Sequence, residues 1–392
     1  MNKKKIELLA PARDLASGRD AVDCGADAVY IGAEEFGARR AAANTVQDIG
    51  RLASHAHRCG ARVYAAVNTI LTDAELDRAV RLIRRLWDAG ADAVIIQDMG
   101  LLEADLPPIP LFASTQTHNL TPEKAVFLEK AGFRRIILAR ELSLPEIRKI
   151  RAATEAELEF FAHGSLCVSH SGRCWLSFAL GGRSGNRGEC AQPCRKRYAV
   201  KDVSGRVLEK DGHPLSLKDL NLSARLGDLL DAGITSFKIE GRLKEADYVR
   251  NVVSFYRREL DKALAPRRLD RASSGRSFPG FTPDPAKTFN RGYTEYMLDG
   301  ACGDIASPAT PKYVGEPVGR AVKVGLKSFR LEGRCQLNDG DGIAFFDTRG
   351  VLTGTHVNVV RNGNVSPAST RGIAEGTVIY RNLDREFSRV LS

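Results

Sequence analysis

The sequence predicts an α/β chain. A TIM-type (β/α)8-like barrel occupies residues 1–264, a connecting segment 265–306, and a small β-barrel 307–392. Three observations carry that prediction. A short phrase recurs, as DCGADAVYIGA from Asp23, DAGADAVIIQD from Asp88, KAGFRRIILAR from Lys130 and DAGITSFKIEG from Asp231. Eight short apolar runs fit within the first two thirds of the chain, which suits a closed barrel better than an open sheet. After Ser307 the pattern switches to short alternating runs broken by Gly, Asn and Asp.

The recurring phrase has a physical meaning. Each copy follows an amphipathic helical pattern, such as DAELDRAVRLIRRLWDAG, and its glycine stands where a helix stop needs the left-handed conformation. The apolar run that follows reads as a buried parallel strand. In chain order the strands are expected near Ile6–Ala10, Ala28–Ile31, Val63–Val67, Ala93–Ile96, Leu111–Thr115, Arg135–Leu138, Leu158–Ala162 and Ser236–Ile239. A doubly wound sheet is the alternative, but ELLAPARD offers no Gly-rich fingerprint after the first strand. The stretch APRRLDRASSGRSFPGFTPDP, from Ala265, reads as a linker, and YVGEPVGRAVKV, FRLEGRCQL, GDGIAFFDTRG, THVNVVRNG and TVIYRNLD as strands of the terminal module.

No apolar run approaches the roughly 20 residues that span a bilayer. Glu7 interrupts the short apolar start, so a secretory signal is not expected and the chain is placed in the cytoplasm. In that reducing compartment clustered thiols read as metal ligands or catalytic groups. Four of the eight cysteines, Cys167, Cys174, Cys190 and Cys194, lie in HGSLCVSHSGRCWLSFALGGRSGNRGECAQPCR, with gaps of six, fifteen and three residues. Such a set suits either a zinc ion or an iron–sulfur cluster, or stands as free thiols. Cys24, Cys59, Cys302 and Cys335 read as packing residues.

The net charge of +10 suggests a polyanionic partner. Between His163 and Lys201 seven Lys and Arg face a single acid, Glu189, although charge alone also fits a solvated basic loop. Within GGRSGNRG, Arg183 and Arg187 are candidates for phosphate contact, and Trp175 either stacks on a base or shields a cluster. His163, at a strand end before the cysteines, is a candidate catalytic group, or a histidine that caps the strand. If the fifth strand runs on through STQTHN, Ser114, Gln116 and His118 share one face. In FKIEGR, Lys238, Glu240 and Arg242 do the same. They form either an internal salt-bridge network or a pocket in which Lys238 and Arg242 meet carboxylates beside Glu240. Asn68 and Gln97, near the ends of strands three and four, are further candidates. His55 and His57 stand two apart on a helix and read as surface residues.

ELEFFAHGSLCVSHSGRCWLS, RSGNRGECAQPCR, SFKIEGRLK and FNRGYTEYMLDG together resemble the signature of the collagenase-like peptidase U-32 family, over nearly the whole chain. The resemblance is to that family's RNA-hydroxylase branch. It implies hydroxylation of a pyrimidine in ribosomal RNA or tRNA, a [4Fe–4S] cluster on Cys167, Cys174, Cys190 and Cys194, and prephenate, a small dicarboxylate, as hydroxyl donor. Two other readings stand beside it: a peptidase, as the family name says, and a non-enzymatic RNA-binding protein with structural zinc. Neither H-E-x-x-H nor G-x-S-x-G occurs in the sequence.

Overall fold

The computed structural model describes residues 4–300, 303–333 and 335–391. Eight parallel strands close on themselves in chain order: β1 (Lys5–Ala12), β2 (Ala28–Ala33), β3 (Arg62–Val67), β4 (Ala93–Ile96), β5 (Leu111–Ala113), β6 (Arg135–Ile137), β7 (Glu157–Ser165) and β8 (Ser236–Ile239). The ring closes where β8 pairs with β7, Lys238 opposite Phe161, and with β1, Lys238 opposite Leu9. All eight expected strands are present. The glycines of the recurring phrase, Gly25, Gly90, Gly132 and Gly233, all have φ between 94° and 103°, the left-handed stop that the pattern requires.

Helices α1 (Leu15–Asp23), α2 (Val46–His57), α3 (Asp73–Asp88), α4 (Pro122–Lys130) and α5 (Leu144–Ala153) alternate with the strands. Their starts are specified locally. Asp14, Thr72 and Ser143 form capping boxes with Ser17, Glu75 and Glu146, and Thr45 and Thr121 cap α2 and α4. Among the described residues four later helices follow: α6 (Leu176–Gly181), α7 (Leu226–Asp231), α8 (Ala246–Leu264) and α9 (Arg385–Leu391).

The barrel interior is polar at one level. Arg135 on β6 lies 2.5 Å from Glu7 and 3.1 Å from Glu159, and Lys238 lies 2.8 Å from Glu159. Ser236 and the Tyr64 hydroxyl both donate to Glu7. Burial works to raise the Glu7 carboxyl, but Arg135 and its hydrogen-bond donors hold it below the usual value. Such a network is costly unless complete, and here each carboxylate has a cation.

The compact units do not follow the expected boundaries. One comprises residues 1–193, 220–278 and 294–305; the other 194–219, 279–293 and 306–392. The expected linker is therefore divided between them, and it is not free chain. Asp270 and Arg271 extend the edge of β1, Ser273 donates to Asp27, and Ser274 donates to the Cys59 carbonyl. The second unit holds a closed antiparallel barrel. Its strands are β9 (Glu316–Val322), β10 (Phe329–Glu332), β11 (Gly342–Phe346), β12 (Leu352–Arg361), β13 (Asn364–Pro367) and β14 (Val378–Leu383), in the spatial order β9–β10–β13–β12–β11–β14. Val318, Phe329, Ile343, Phe345, Val357, Val365 and Ile379 fill it. Cys335 is exposed rather than packed, and Cys302 lies outside the described residues.

Candidate active site at the barrel mouth

The C-terminal ends of β2, β7 and β8 converge on one charged cluster. Gly164, at φ 108°, lets β7 approach the Glu240 carbonyl; a Cβ there would sit 2.5 Å from that oxygen. Tyr30 on β2 donates its hydroxyl to the Ile239 carbonyl at 2.9 Å, and the Lys238 ammonium lies 4.3 Å from the centre of its ring. Arg140, just past β6, reaches the Glu240 carboxylate at 3.0 Å, the Ser165 carbonyl at 2.7 Å and the Phe161 ring at 3.8 Å. Burial alone would raise the Glu240 carboxyl; Arg39, Arg140, Arg242 and Lys238 outweigh it and hold it below the usual value.

Arg242 is the unusual member. It is 5% exposed, its guanidinium lies 5.5 Å from the Tyr30 ring centre, and its Nε and Nη1 have no hydrogen-bond partner among the described residues. Burial lowers its pKa, and Arg39 pushes the same way. Lys238 is matched by Glu159 and Arg140 by Glu240, which leaves Arg242 and Arg39 as surplus positive charge. Buried donors without acceptors are expensive, and a carboxylate in the mouth would satisfy them.

Several candidates from the sequence occupy other places. Lys238 belongs to the internal salt-bridge network. His163 points into the layer between barrel and helices, where its Nδ1 lies 3.3 Å from the Tyr256 hydroxyl on α8. Burial, with Lys244 nearby, holds its pKa down at about 3, so it stays uncharged near neutral pH. The strand expected through STQTHN stops at Ala113, because the Ser114 hydroxyl accepts from the Gln116 amide and starts a 3-10 turn. Gln116 and His118 consequently do not share a strand face with Ser114. Asn68 is engaged by the Ala38 amide and the Ser114 hydroxyl, and Gln97 donates to the Gln116 carbonyl.

His118 adopts φ 59°, and its ring centre lies 5.2 Å from that of His170, whose Nδ1 is 3.9 Å from Glu141. Burial and Arg173 lower the His118 pKa. His170, Glu141, Arg140, Arg39 and Tyr30 were not singled out by sequence. Their roles depend on loops that meet only in the fold.

In the cysteine segment, Arg187 is already paired. It grips Glu75 with both terminal nitrogens, at 2.6 and 3.1 Å, and the Ile70 carbonyl at 2.7 Å. Those contacts, with the Thr72 amide, hold the Glu75 carboxyl at about 2. Arg183 donates to the Glu189 carbonyl and is exposed. Trp175, Phe178 and Leu180, on and beside α6, are all more than half exposed. Cys167 and Cys190 are exposed, Cys174 is half-buried, and the Cys190 sulfur lies 3.3 Å from the Gln192 amide. Cys194 belongs to the second unit. Among the described residues, no group of three or more His, Cys, Asp or Glu side chains is placed to hold a metal ion. The thiols are the right donors for an iron–sulfur cluster, but as placed they are not a ligand set. Likewise, no helix of the described residues is long and apolar enough to cross a membrane.

Fold and site together define a TIM-type barrel protein with an electropositive, partly unsatisfied mouth. The chain belongs to peptidase family U32, whose model matches residues 13–306. It is 46% identical over 401 residues to the 23S rRNA 5-hydroxycytidine C2501 synthase of Escherichia coli, covering 100% of this chain and 61% of that protein. It is 38% identical over 273 residues to the tRNA hydroxylation protein P1 of Bacillus subtilis, covering 67% of this chain and 64% of the relative. A collagenase of Porphyromonas gingivalis is 31% identical over 383 residues, at 92% and 89% coverage. The chain thus spans rather less than two thirds of the length of the first two relatives.

Proposed function

We propose that this chain hydroxylates a pyrimidine base in RNA, ribosomal RNA before tRNA, with a small dicarboxylate such as prephenate as oxygen donor. The observation that carries the reading is Arg242: a buried guanidinium at the barrel mouth with two N–H groups left for an acceptor. Relatives named for hydroxylation of ribosomal and transfer RNA support it, the ribosomal one along the entire chain.

Inserting oxygen into a ring C–H bond removes two electrons from the base, and the donor takes up those electrons as it gives up its oxygen. The chain's own part is to bind and orient. Arg242 and Arg39 hold donor carboxylates, the Tyr30 and Phe161 rings wall the site, and Glu240, pinned by Arg140, fixes the direction of approach. We further propose that Cys167, Cys174, Cys190 and Cys194 would hold a [4Fe–4S] cluster; with a thiolate on every iron it would supply one-electron chemistry or order to the loop, not an open Lewis-acidic iron. Its binding would draw the thiols together and order the loop, as metal binding generally couples to folding. This chemistry belongs to a reducing, cytoplasmic setting.

The test compares nucleosides of ribosomal and transfer RNA, by mass spectrometry, from cells with and without the gene. Loss of one hydroxylated pyrimidine supports the proposal. Unchanged nucleosides together with cleavage of collagen-like substrate by the purified protein would favour the peptidase reading.

A further inference from the structure

Beside the charged mouth, a cleft of about 430 Å³ is lined by Glu35, Phe36, Arg39, Thr69, Arg78 and Arg187, among others. Its charges are largely matched. Glu34 pairs with Arg85 at 2.5 Å, Glu35 with Arg78 at 3.2 Å and Glu75 with Arg187 at 2.6 Å. Four carboxylates line the cleft, Glu34, Glu35, Glu75 and Glu189; three are paired with arginines, and the lining Arg39 balances the fourth in net charge. The cleft therefore favours a neutral occupant.

Phe36 gives that occupant a shape. It holds φ 61°, a left-handed conformation that costs a bulky side chain energy and persists only where its surroundings enforce it. The enforcement is visible: the amide and the hydroxyl of Thr69 both donate to the Phe36 carbonyl, each at 3.1 Å. The Arg78 guanidinium carbon lies 5.5 Å from the ring centre, yet the residue is only half-buried. A strained, partly open aromatic ring in a charge-matched cleft suits a flat neutral ring.

Position supplies the second half of the argument. Arg39 lines this cleft and also acts electrostatically on Glu240 and Arg242 in the mouth. Arg187 and Glu189 come from the stretch between Cys174 and Cys190, so the cysteine segment borders the cleft too. An acceptor ring held here would lie next to the site proposed for the oxygen donor.

We infer that the cleft seats the target pyrimidine, turned out of the RNA and stacked on Phe36. This rests on the RNA-hydroxylation reading and adds to it a seat for the base and a specificity-determining residue. The phosphates of the strand stay outside the cleft, on the basic surface, and the base enters alone.

The experiment uses the full chain, the wild-type RNA substrate, and a copy carrying a photoreactive 5-iodopyrimidine at the modified position. Irradiation should crosslink that base to the peptide containing Phe36; a crosslink confined to other peptides overturns the inference. In parallel, Phe36→Leu should raise KM for RNA on the order of tenfold to a hundredfold, the cost of one lost base stack. Phe36→Trp should restore most of it, and prephenate affinity should stay unchanged in both. Wild-type KM in Phe36→Leu also overturns the inference, while the function proposed above survives. If the wild-type protein hydroxylates no RNA at all, that function falls and the inference with it.

Discussion

Replacing Arg242 with Met separates binding from folding at the barrel mouth. The guanidinium is buried, burial lowers its pKa, and two of its nitrogens have no hydrogen-bond partner among the described residues, so the charge is a burden on the folded protein. Met keeps much of the volume and the contact with Tyr30 while removing that burden. The variant should therefore unfold at the same temperature as the wild type or a higher one. Binding should move the opposite way. Each charge-assisted hydrogen bond to a carboxylate contributes about 1.5–3 kcal/mol, so loss of even one weakens prephenate binding by about tenfold to a hundredfold. Isothermal titration calorimetry gives the affinity and differential scanning calorimetry the melting temperature. An affinity within about threefold of wild type, or a clear drop in melting temperature, would show that Arg242 is a structural group and refute the reasoning.

Other consequences are equally measurable. Arg135→Met leaves Glu7 and Glu159 buried with their shared cation gone, and should cost about 3–5 kcal/mol in urea unfolding, in contrast to Arg242→Met. His163 is held uncharged down to about 3 in the fold, against 6.5 ordinarily, so the unfolded chain binds a proton first as pH falls. Stability due to this group is complete above about pH 6.5 and is lost toward pH 3, at up to about 1.4 kcal/mol per pH unit. His163→Gln should flatten that slope in urea midpoints measured across the range, and an unchanged slope would refute the assignment. Cys190→Ala should lose the iron and labile sulfide of anaerobically purified protein, about four of each in the wild type, whereas Cys24→Ala should keep them. Stoichiometric zinc without iron would point to the structural-zinc reading instead.

The barrel was legible because its signal is local and repeated: a helix, a glycine that must turn left-handed, and an apolar run. Strand ends were less so. The fifth strand stops at Ala113 because one hydroxyl, that of Ser114, captures the Gln116 amide, and a polar alternating stretch does not reveal that competition. The side on which a residue lies was also hidden. His163 sits on a strand packed on both faces, so alternation in FFAHGS could not tell the mouth from the helix layer. Arg187 stands among glycines in the sequence, but its partner Glu75 is 112 residues away and doubles as a helix cap. Tyr30, Arg39 and Arg140 become site residues only when three strand ends meet. In the terminal module β13 carries little strand signal, because NVSP is four residues long and ends in proline.

The account turns on whether this protein places oxygen on an RNA pyrimidine. The most direct measurement incubates anaerobically purified protein with unmodified ribosomal RNA and prephenate, then digests the RNA for nucleoside mass spectrometry. The account predicts one pyrimidine nucleoside heavier by a single oxygen atom, dependent on prephenate and lost in Arg242→Met. An RNA left unmodified by iron-loaded protein in the presence of donor would contradict it.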